Sequence, residues 1–354
     1  IFTCMTSVPQ AKELEKLLNK GMKAAIISHF NPDGDAVGSS AALRSFLSDR
    51  GIHATSVTPS PVPEFLDFLD PAKETVCYTE DKERARRAIT DADVIFCLDF
   101  NKLDRTEWLA DTIAGAKAFK VLIDHHPGPD TGQFGLIISD PAASSTCELL
   151  YRTLLSLASV ESDPSRLGHC TLTALATGII TDTNNFSNSV TPDTFTAASD
   201  MLRLGVSLDS INNTVFKRYS ESRMRLMGHL LADSMTLHPG LKASTMIITM
   251  EDRERYGFAD GDSEGFVNLP LMIRDVEVSA LFSETRDYIR VSLRSKGGVA
   301  VNALARSFFN GGGHDRAAGG RLFMPIGEVR DYFLQSLEQF LQSNSRNTEP
   351  ETGK

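Results

Sequence analysis

The stretch KAAIISHFNPDGDAVGSSAALRSFLSDRG, Lys23 to Gly51, decides the fold. It opens on an apolar run, Ala24-Ala25-Ile26-Ile27, suited to a strand at residues 23–28. It closes on a helix-like segment, residues 39–50, that Gly51 stops. Between them stand His29, Asp33 and Asp35 among small residues. Asn31-Pro32-Asp33-Gly34 makes a turn by its own geometry, but that turn needs neither the histidine before it nor the second carboxylate after it. Two like charges this close repel unless a cation sits between them.

The alternation continues beyond Gly51. Residues 52–58, 93–98, 119–123 and 136–139 read as strands, and 81–90 as a charged helix. Asp140-Pro141 opens a helix through 147–157, another spans 171–180, and Thr191-Pro192-Asp193 caps one that Gly205 ends. The order βαβ predicts an α/β fold, a mainly parallel sheet with helices on both faces. A charge-rich, mostly helical stretch, 208–237, ends at His238-Pro239-Gly240. Beyond it the style changes to strand 243–249, helix 264–273, strands 276–283 and 288–294 as a hairpin, and helix 301–309. The expected division is a catalytic domain at 1–205, a helical connector at 206–240, and a smaller α+β substrate-binding domain at 241–342. The polar tail 343–354 is expected to be disordered. No internal repeat is present.

Composition narrows the function. The chain has 354 residues, 36 basic against 46 acidic, for a net charge of −10. That balance lacks the basic excess of a protein tracking along a long duplex; a small or short anionic ligand at one site is expected instead. The five cysteines, Cys4, Cys77, Cys97, Cys147 and Cys170, are odd in number and have no CxxC spacing, so neither a disulfide framework nor a zinc site is indicated. Ile1-Phe2-Thr3-Cys4-Met5 carries no basic leader before an apolar core, so no signal peptide is expected. No apolar run approaches the ~18 residues of a membrane span. A reduced, cytoplasmic enzyme without membrane attachment is the expectation, and a homodimer is compatible with it.

Four apolar segments end in the same chemistry. Ile26-Ile27 leads to His29, Asp33 and Asp35; Val94 to Leu98 ends at Asp99; Val121-Leu122-Ile123 ends at Asp124-His125-His126; Gly178-Ile179-Ile180-Thr181 leads to Asp182. In an open α/β sheet, ligands bind beyond the carboxyl ends of the strands, so these groups converge on one crevice. Such carboxylates cannot all ionise together in a dry pocket. Two divalent cations would balance the four that face them. Carboxylate and imidazole donors without thiolate favour Mn²⁺ over Mg²⁺, Fe²⁺ or Co²⁺, with Zn²⁺ left open. Two such ions clamp the attacking and leaving oxygens of a phosphoryl displacement.

Those residues also carry a resemblance. His29-x-x-Pro32-Asp33-x-Asp35-Ala36-x-Gly38-Ser39, Asp99, Asp124-His125-His126 and Gly178-Ile179-Ile180-Thr181-Asp182-Thr183 resemble the four motifs of the DHH phosphoesterases. Gly311-Gly312-Gly313-His314-Asp315-Arg316-Ala317-Ala318-Gly319-Gly320 resembles the signature of the DHH-associated C-terminal domain. Gly265 to Pro270 and Val291 to Lys296 are similar to segments of the nanoRNase and pAp-phosphatase group. The resemblance implies one metal on His29, Asp33 and Asp99, and a second on Asp35, Asp99, His125 and Asp182, with a hydroxide between them as nucleophile. It implies that His126 bonds the phosphate, that Asp124 orients imidazole, and that Arg105 contacts phosphate, with Asn31 divided between phosphate and its own turn. Arg294, Lys296, Gly312, Gly313 and His314 would bind substrate, the glycines as an anion nest and Ala317 to Gly320 as a small-residue helix start. A substrate spanning two domains would have to be short. The expected activity is Mn²⁺-dependent hydrolysis of very short RNA to 5′-mononucleotides and of pAp to AMP. The alternatives are a cyclic-dinucleotide or pApA phosphodiesterase, a pyrophosphatase or exopolyphosphatase, and a nucleotide sensor without catalysis.

Overall fold

Ala24-Ala25-Ile26-Ile27 lies in a strand, β1 (Lys23–Ile27), whose residues alternate between two cores. Ala24 and Ile26 pack on one side, Ala25 and Ile27 on the other. A strand with no polar face needs cover on both. The computed structural model describes residues 5–217, 219–259 and 261–346, and the chain divides into two compact units, Ile1–Arg218 and Tyr219–Lys354.

In the first unit β1 joins β2 (His53–Thr58), β3 (Val76–Cys77), β4 (Val94–Leu98), β5 (Phe119–Asp124) and β6 (Leu136–Ser139) in the order β3-β2-β1-β4-β5-β6. Every pairing is parallel; Ile27 stands opposite Val57 on one side and Cys97 on the other. Helices α1 (Ala11–Leu17), α2 (Gly34–Ser48), α5 (Thr146–Leu155), α6 (His169–Asp182), α7 (Pro192–Arg203) and α8 (Leu208–Phe216) share the core of Ala24 and Ile26. Helices α3 (Lys82–Thr90) and α4 (Ala110–Gly115) cover the other face. The expected α/β class therefore stands. The strand order reverses between β1 and β4, and a crevice opens at the carboxyl ends of such a pair.

Helix α2 starts at Gly34, five residues earlier than its apolar spacing suggested. Asp33 caps it, its Oδ1 accepting from the N–H groups of Asp35 (3.0 Å) and Ala36 (3.1 Å). The acidic loop is thus the first turn of a helix. Thr191 caps α7 as read, in a reciprocal arrangement with Thr194.

The stretch read as one connector is divided. Ile211 and Val215 of α8 face the first unit's core, whereas Leu226 of α9 (Glu221–His229) and Leu230 of a π-helical turn, Leu230–Ser234, pack with Met246 in the second. The second sheet holds β7 (Thr236–His238), β8 (Ala243–Ile248), β9 (Val278–Glu284), β10 (Ile289–Ser295), β11 (Gly312–His314) and β12 (Ala317–Leu322), ordered β11-β12-β10-β9-β8-β7. Only β8 and β9 pair parallel. Its helices are α10 (Met250–Arg255), α11 (Val301–Phe308) and α12 (Val329–Arg346).

Three expectations are corrected here. Residues 264–273 form a 3₁₀ segment, Phe266–Met272, because Pro270 inside it has no N–H for an α-helix. Ala317 to Gly320 begin strand β12, not a helix. A Cβ at Gly311 would strike the Gly319 carbonyl, and one at Gly320 the Phe309 carbonyl, so the small residues serve strand-to-strand approach. Residues 343–346 continue α12, while the rest of the expected tail, like Cys4 and most of the opening segment, lies outside the described residues. Among the described residues the cysteines are unpaired, and no helix is long and apolar enough to cross a membrane.

Helices α2 and α6 meet at Gly38, where a Cβ would lie 2.7 Å from the Ala174 carbonyl and 3.1 Å from the Gly178 nitrogen. In an open helix Gly→Ala gains about 1 kcal/mol. Here overpacking against backbone costs about 1–3 kcal/mol and outweighs that gain. Gly38→Ala is expected to lower the melting temperature by several degrees; a rise would mean that the two helices separate freely.

Candidate metal centre

The donors that follow β1, β4, β5 and the last turn of α6 come together. His29 is buried, and its Nδ1 lies 2.9 Å from the Phe30 carbonyl, so Nδ1 carries the proton. Nε2 is then the nitrogen turned to the carboxylates, 3.6 Å from Asp99 Oδ2 and 4.0 Å from Asp33 Oδ1. His125 is built alike. Its Nδ1 is 3.3 Å from the Ala143 carbonyl, and its Nε2 lies 3.7 Å from Asp99 Oδ1 and 3.6 Å from Asp182 Oδ2. These separations are too long for hydrogen bonds and leave room for an ion between the partners. Asp99 stands in the middle, one oxygen toward each histidine.

Two donor sets follow, His29 with Asp33 and Asp99, and Asp35 with His125 and Asp182, each with its ligand atoms within 4.8 Å of one another. A third set adds His126 to Asp99 and His125. The His126 Nδ1, however, is 2.7 Å from Asp124 Oδ1 and 3.8 Å from Asp99 Oδ1. Ligating through Nδ1 would break the shorter, charge-assisted bond, so geometry leaves His126 on its carboxylate partner. Asp124 is wholly buried, and its Oδ2 has no hydrogen-bond partner among the described residues.

The start of α5 completes the cluster. Asp35 accepts from the backbone N–H groups of Thr146 (2.6 Å) and Cys147 (2.9 Å), and the Thr146 hydroxyl donates to Asp99 Oδ1 (3.0 Å). A helix N-terminus favours negative charge. The sequence reading missed Thr146; its signal was Ser145 three residues before Glu148 and an apolar run, the pattern of a helix start, and Ser145 does cap the Glu148 N–H at 3.0 Å. Gly178 is needed on α6 because a Cβ there would strike the Cys147 sulfur and lie 2.8 Å from Asp35 Oδ1. Asp99 itself holds a left-handed backbone, φ 65°, uncommon for a residue with a side chain.

Charge in this space is not balanced by the protein. Burial raises Asp99 well above the usual carboxylate range, and Asp35, Asp33, Asp182 and Asp124 add to the rise. Burial also raises Asp35, against the pull of His125. Asp182, with 31% of its side chain open, is pushed up to about 7 by burial and by Asp35. Burial works against a charged His125, but Asp35 and Asp182 outweigh it and raise its pKa. Carboxylates held above their normal range by one another fit a missing counter-charge. The oxygen and imidazole donor set fits a divalent cation. Burial and the Asp35 carboxylate hold the Cys147 thiol far up its range, which leaves it outside the donor set.

The remaining candidates are placed as follows. Arg105 is exposed on a 3₁₀ turn, Leu103–Leu109, whose Arg105 carbonyl accepts from Phe30 N–H at 2.8 Å. Asn31 takes a left-handed conformation, φ 53°, and its N–H bonds Ser60. In the second unit Arg294 donates to its neighbour's carbonyl, and burial lowers its pKa. The Lys296 ammonium is engaged by the carbonyls of Leu271 (2.7 Å) and Ile273 (2.6 Å). Gly312, Gly313 and His314 lie on β11, with His314 exposed opposite Ala317.

Imidazole and carboxylate donors gathered at the switch point of a parallel sheet are a donor set that fits the metal-dependent phosphoesterases. Residues 23–179 match the DHH family, N-terminal domain, and residues 244–343 match the DHHA1 domain. The chain is 30% identical over 89% of its length to the Thermus thermophilus protein named bifunctional oligoribonuclease and PAP phosphatase NrnA, covering 90% of that relative. It is 29% identical over 83% of its length to the Bacillus subtilis protein of the same name, covering 88% of it. The structure of an exopolyphosphatase-related protein from Bacteroides fragilis superposes with a TM-score of 0.90 at 35% identity, over 96% of this chain and 98% of that one. The chain belongs to the DHH family.

The pH dependence of the metal-free protein follows from Asp182. Its folded pKa, about 7 against an ordinary 3.8, means that the protonated form favours the fold. That contribution is complete below the ordinary value and is lost as pH rises through the folded one. The metal-free melting temperature is expected to fall between about pH 4 and 7, less steeply in Asp182→Asn. Saturating Mn²⁺ should remove the fall, because ions bind the charged form. An identical slope in Asp182→Asn would contradict this account.

Proposed function

We propose that the chain is a cytoplasmic phosphoesterase that uses two divalent cations, Mn²⁺ foremost. It hydrolyses very short RNA to 5′-mononucleotides and 3′,5′-bisphosphonucleosides such as pAp to the monophosphate. The observation that carries this reading is Asp99 standing between His29 and His125, one carboxylate oxygen toward each, at 3.6 and 3.7 Å. One ion is assigned to His29, Asp33 and Asp99, the other to Asp35, Asp99, His125 and Asp182. When bound, the pair supplies an acidified water and a clamp on the attacking and leaving oxygens. The substrate class is taken from the two relatives named for an oligoribonuclease and a PAP phosphatase, which match along most of their length.

The chain's own residues supply the rest. Asp124 accepts from His126 Nδ1–H across 2.7 Å and so orients the ring. His126 is then the side chain assigned to the phosphoryl oxygen on which negative charge grows. Arg105 is assigned to a phosphate, as a planar donor suited to its oxygens. Arg294, His314 and the strand at Gly312 and Gly313 are assigned to the nucleotide. Lys296, which spends its ammonium on two carbonyls, is assigned to shaping that surface.

The deciding assay follows AMP release from pApA and phosphate release from pAp. Both are expected with Mn²⁺, and neither after chelation. Rapid pyrophosphate hydrolysis without action on either nucleotide would replace this reading with a pyrophosphatase; tight nucleotide binding without turnover would replace it with a sensor. Asp124→Asn should lower kcat by about 10²-fold or more, with KM and bound metal held near the native values. Loss of the metal instead would assign Asp124 to the integrity of the cluster.

A further inference from the structure

The donor sets account for a phosphate and for nothing attached to it. The chain has a single tryptophan, Trp108, on the turn Leu103–Leu109 that follows β4 and Asp99. Its residue is 54% exposed, although an indole carries much apolar surface that folding normally buries. The ring is nevertheless held in place. Tyr78, which follows β3, stacks on it with centroids 6.1 Å apart and planes 20° apart; Phe30, next to the proposed ligand His29, meets it at 5.5 Å and 89°. The Phe30 N–H bonds the Arg105 carbonyl on the same turn at 2.8 Å. The residue before the indole, Glu107, sits at φ 49°, ψ −117°, a strained conformation for any residue with a side chain.

Charge alone does not single this surface out. Arg86 lies 5.6 Å over the Tyr78 ring and donates to its hydroxyl at 3.1 Å, with Lys82 at 5.9 Å. Arg105 and Lys102 are exposed on or beside the turn. Against them stand Asp104 and Glu107 on the turn and Glu83, which pairs with Arg86 at 3.4 Å. What is unusual is a half-exposed indole packed against Tyr78 and Phe30 at the same rim of the sheet as the donors. Nucleobases stack on such faces with little regard to sequence.

We infer that Trp108 is the platform on which a nucleotide's base stacks while its phosphate lies at the metal centre. The inference rests on the nucleotide reading above. Stacking of this kind discriminates by the presence of a base, and Arg105, exposed on the same turn, is assigned to the sugar-phosphate.

Because Trp108 is the sole tryptophan, emission from the full chain with saturating Mg²⁺ reports on this ring alone. Titration with AMP is expected to change that emission saturably, and ribose 5-phosphate is expected to leave it unchanged. On turnover, the KM for pAp should be about ten- to a hundredfold lower than that for the base-free ribose bisphosphate. That advantage should vanish in Trp108→Ala and survive in part in Trp108→Phe. Hydrolysis of pAp with silent emission, or an advantage undiminished in Trp108→Ala, would overturn the inference and leave the hydrolytic reading standing. An AMP response in a chain that hydrolyses neither compound would do the reverse.

Discussion

Negative charge crowded into a small buried volume governs the first unit. Asp99 lies inside the protein with Asp33, Asp35, Asp124 and Asp182 all acting on it. A single pair of like charges about 4 Å apart costs about 1 kcal/mol in water and about 4 kcal/mol at an effective dielectric of 20. Domains are stable by only about 5–15 kcal/mol, so several such pairs cannot be carried without compensation. Part comes from the N–H groups that open α5, which meet Asp35 at 2.6 and 2.9 Å. Part comes from protonation, which Asp182 retains up to about 7. What is left is a demand for cations, and the two histidines stand where ions would take their lone pairs.

The frame is arranged to permit that crowding. Adjacent parallel strands β1 and β4 deliver His29 and Asp99 side by side at the point where the strand order reverses. Asp33 is held as the cap of α2, so its position is set by two backbone N–H groups and not by a loose turn. Helix α6 brings Asp182 in from the side, and it approaches only because Gly178 has no Cβ to meet Cys147 and Asp35. The groups proposed as ligands sit on helix ends and strand ends, elements that hold geometry better than free loops. Stability and function therefore compete at the same residues: each contact that brings the carboxylates together also raises the cost of leaving them without counter-ions.

The sequence made the centre of the parallel sheet legible because β1, β4 and β5 carry apolar runs buried on both faces, and each run leads to a histidine or an aspartate. The four converging segments were readable for the same reason. Less readable was where α2 begins, since Gly34 to Ser39 has no apolar period and its start is fixed by Asp33 as a cap. Ala317 to Gly320 misled because small residues serve equally well for a helix packed under a ligand and for strands in close approach. Only the positions of Gly319 and Phe309 decide between them. The part of Thr146 was hidden because half of it runs through a backbone N–H, which every residue but proline has, and its hydroxyl reaches Asp99 only once the start of α5 is placed beside β4. Trp108 attracted no notice because a lone aromatic in a charged stretch looks the same whether its ring is buried or displayed.

An acidic chain with a net charge of −10 that acts on phosphates must attract them locally and not through its overall field. At physiological salt the screening length is about 8 Å, so surface carboxylates away from the site count for little against ions held among the donors. The same screening limits how far the site can draw on a polyanion. On the proposed reading, a long strand would gain little from the acidic surface beyond the metals, whereas a mononucleotide or dinucleotide would lie within reach of the cluster and of the proposed aromatic platform. The proposed preference for short substrates would then need no device that measures length. It would follow from holding the strongest favourable charge at one point of a chain whose net charge gives phosphate no long-range attraction.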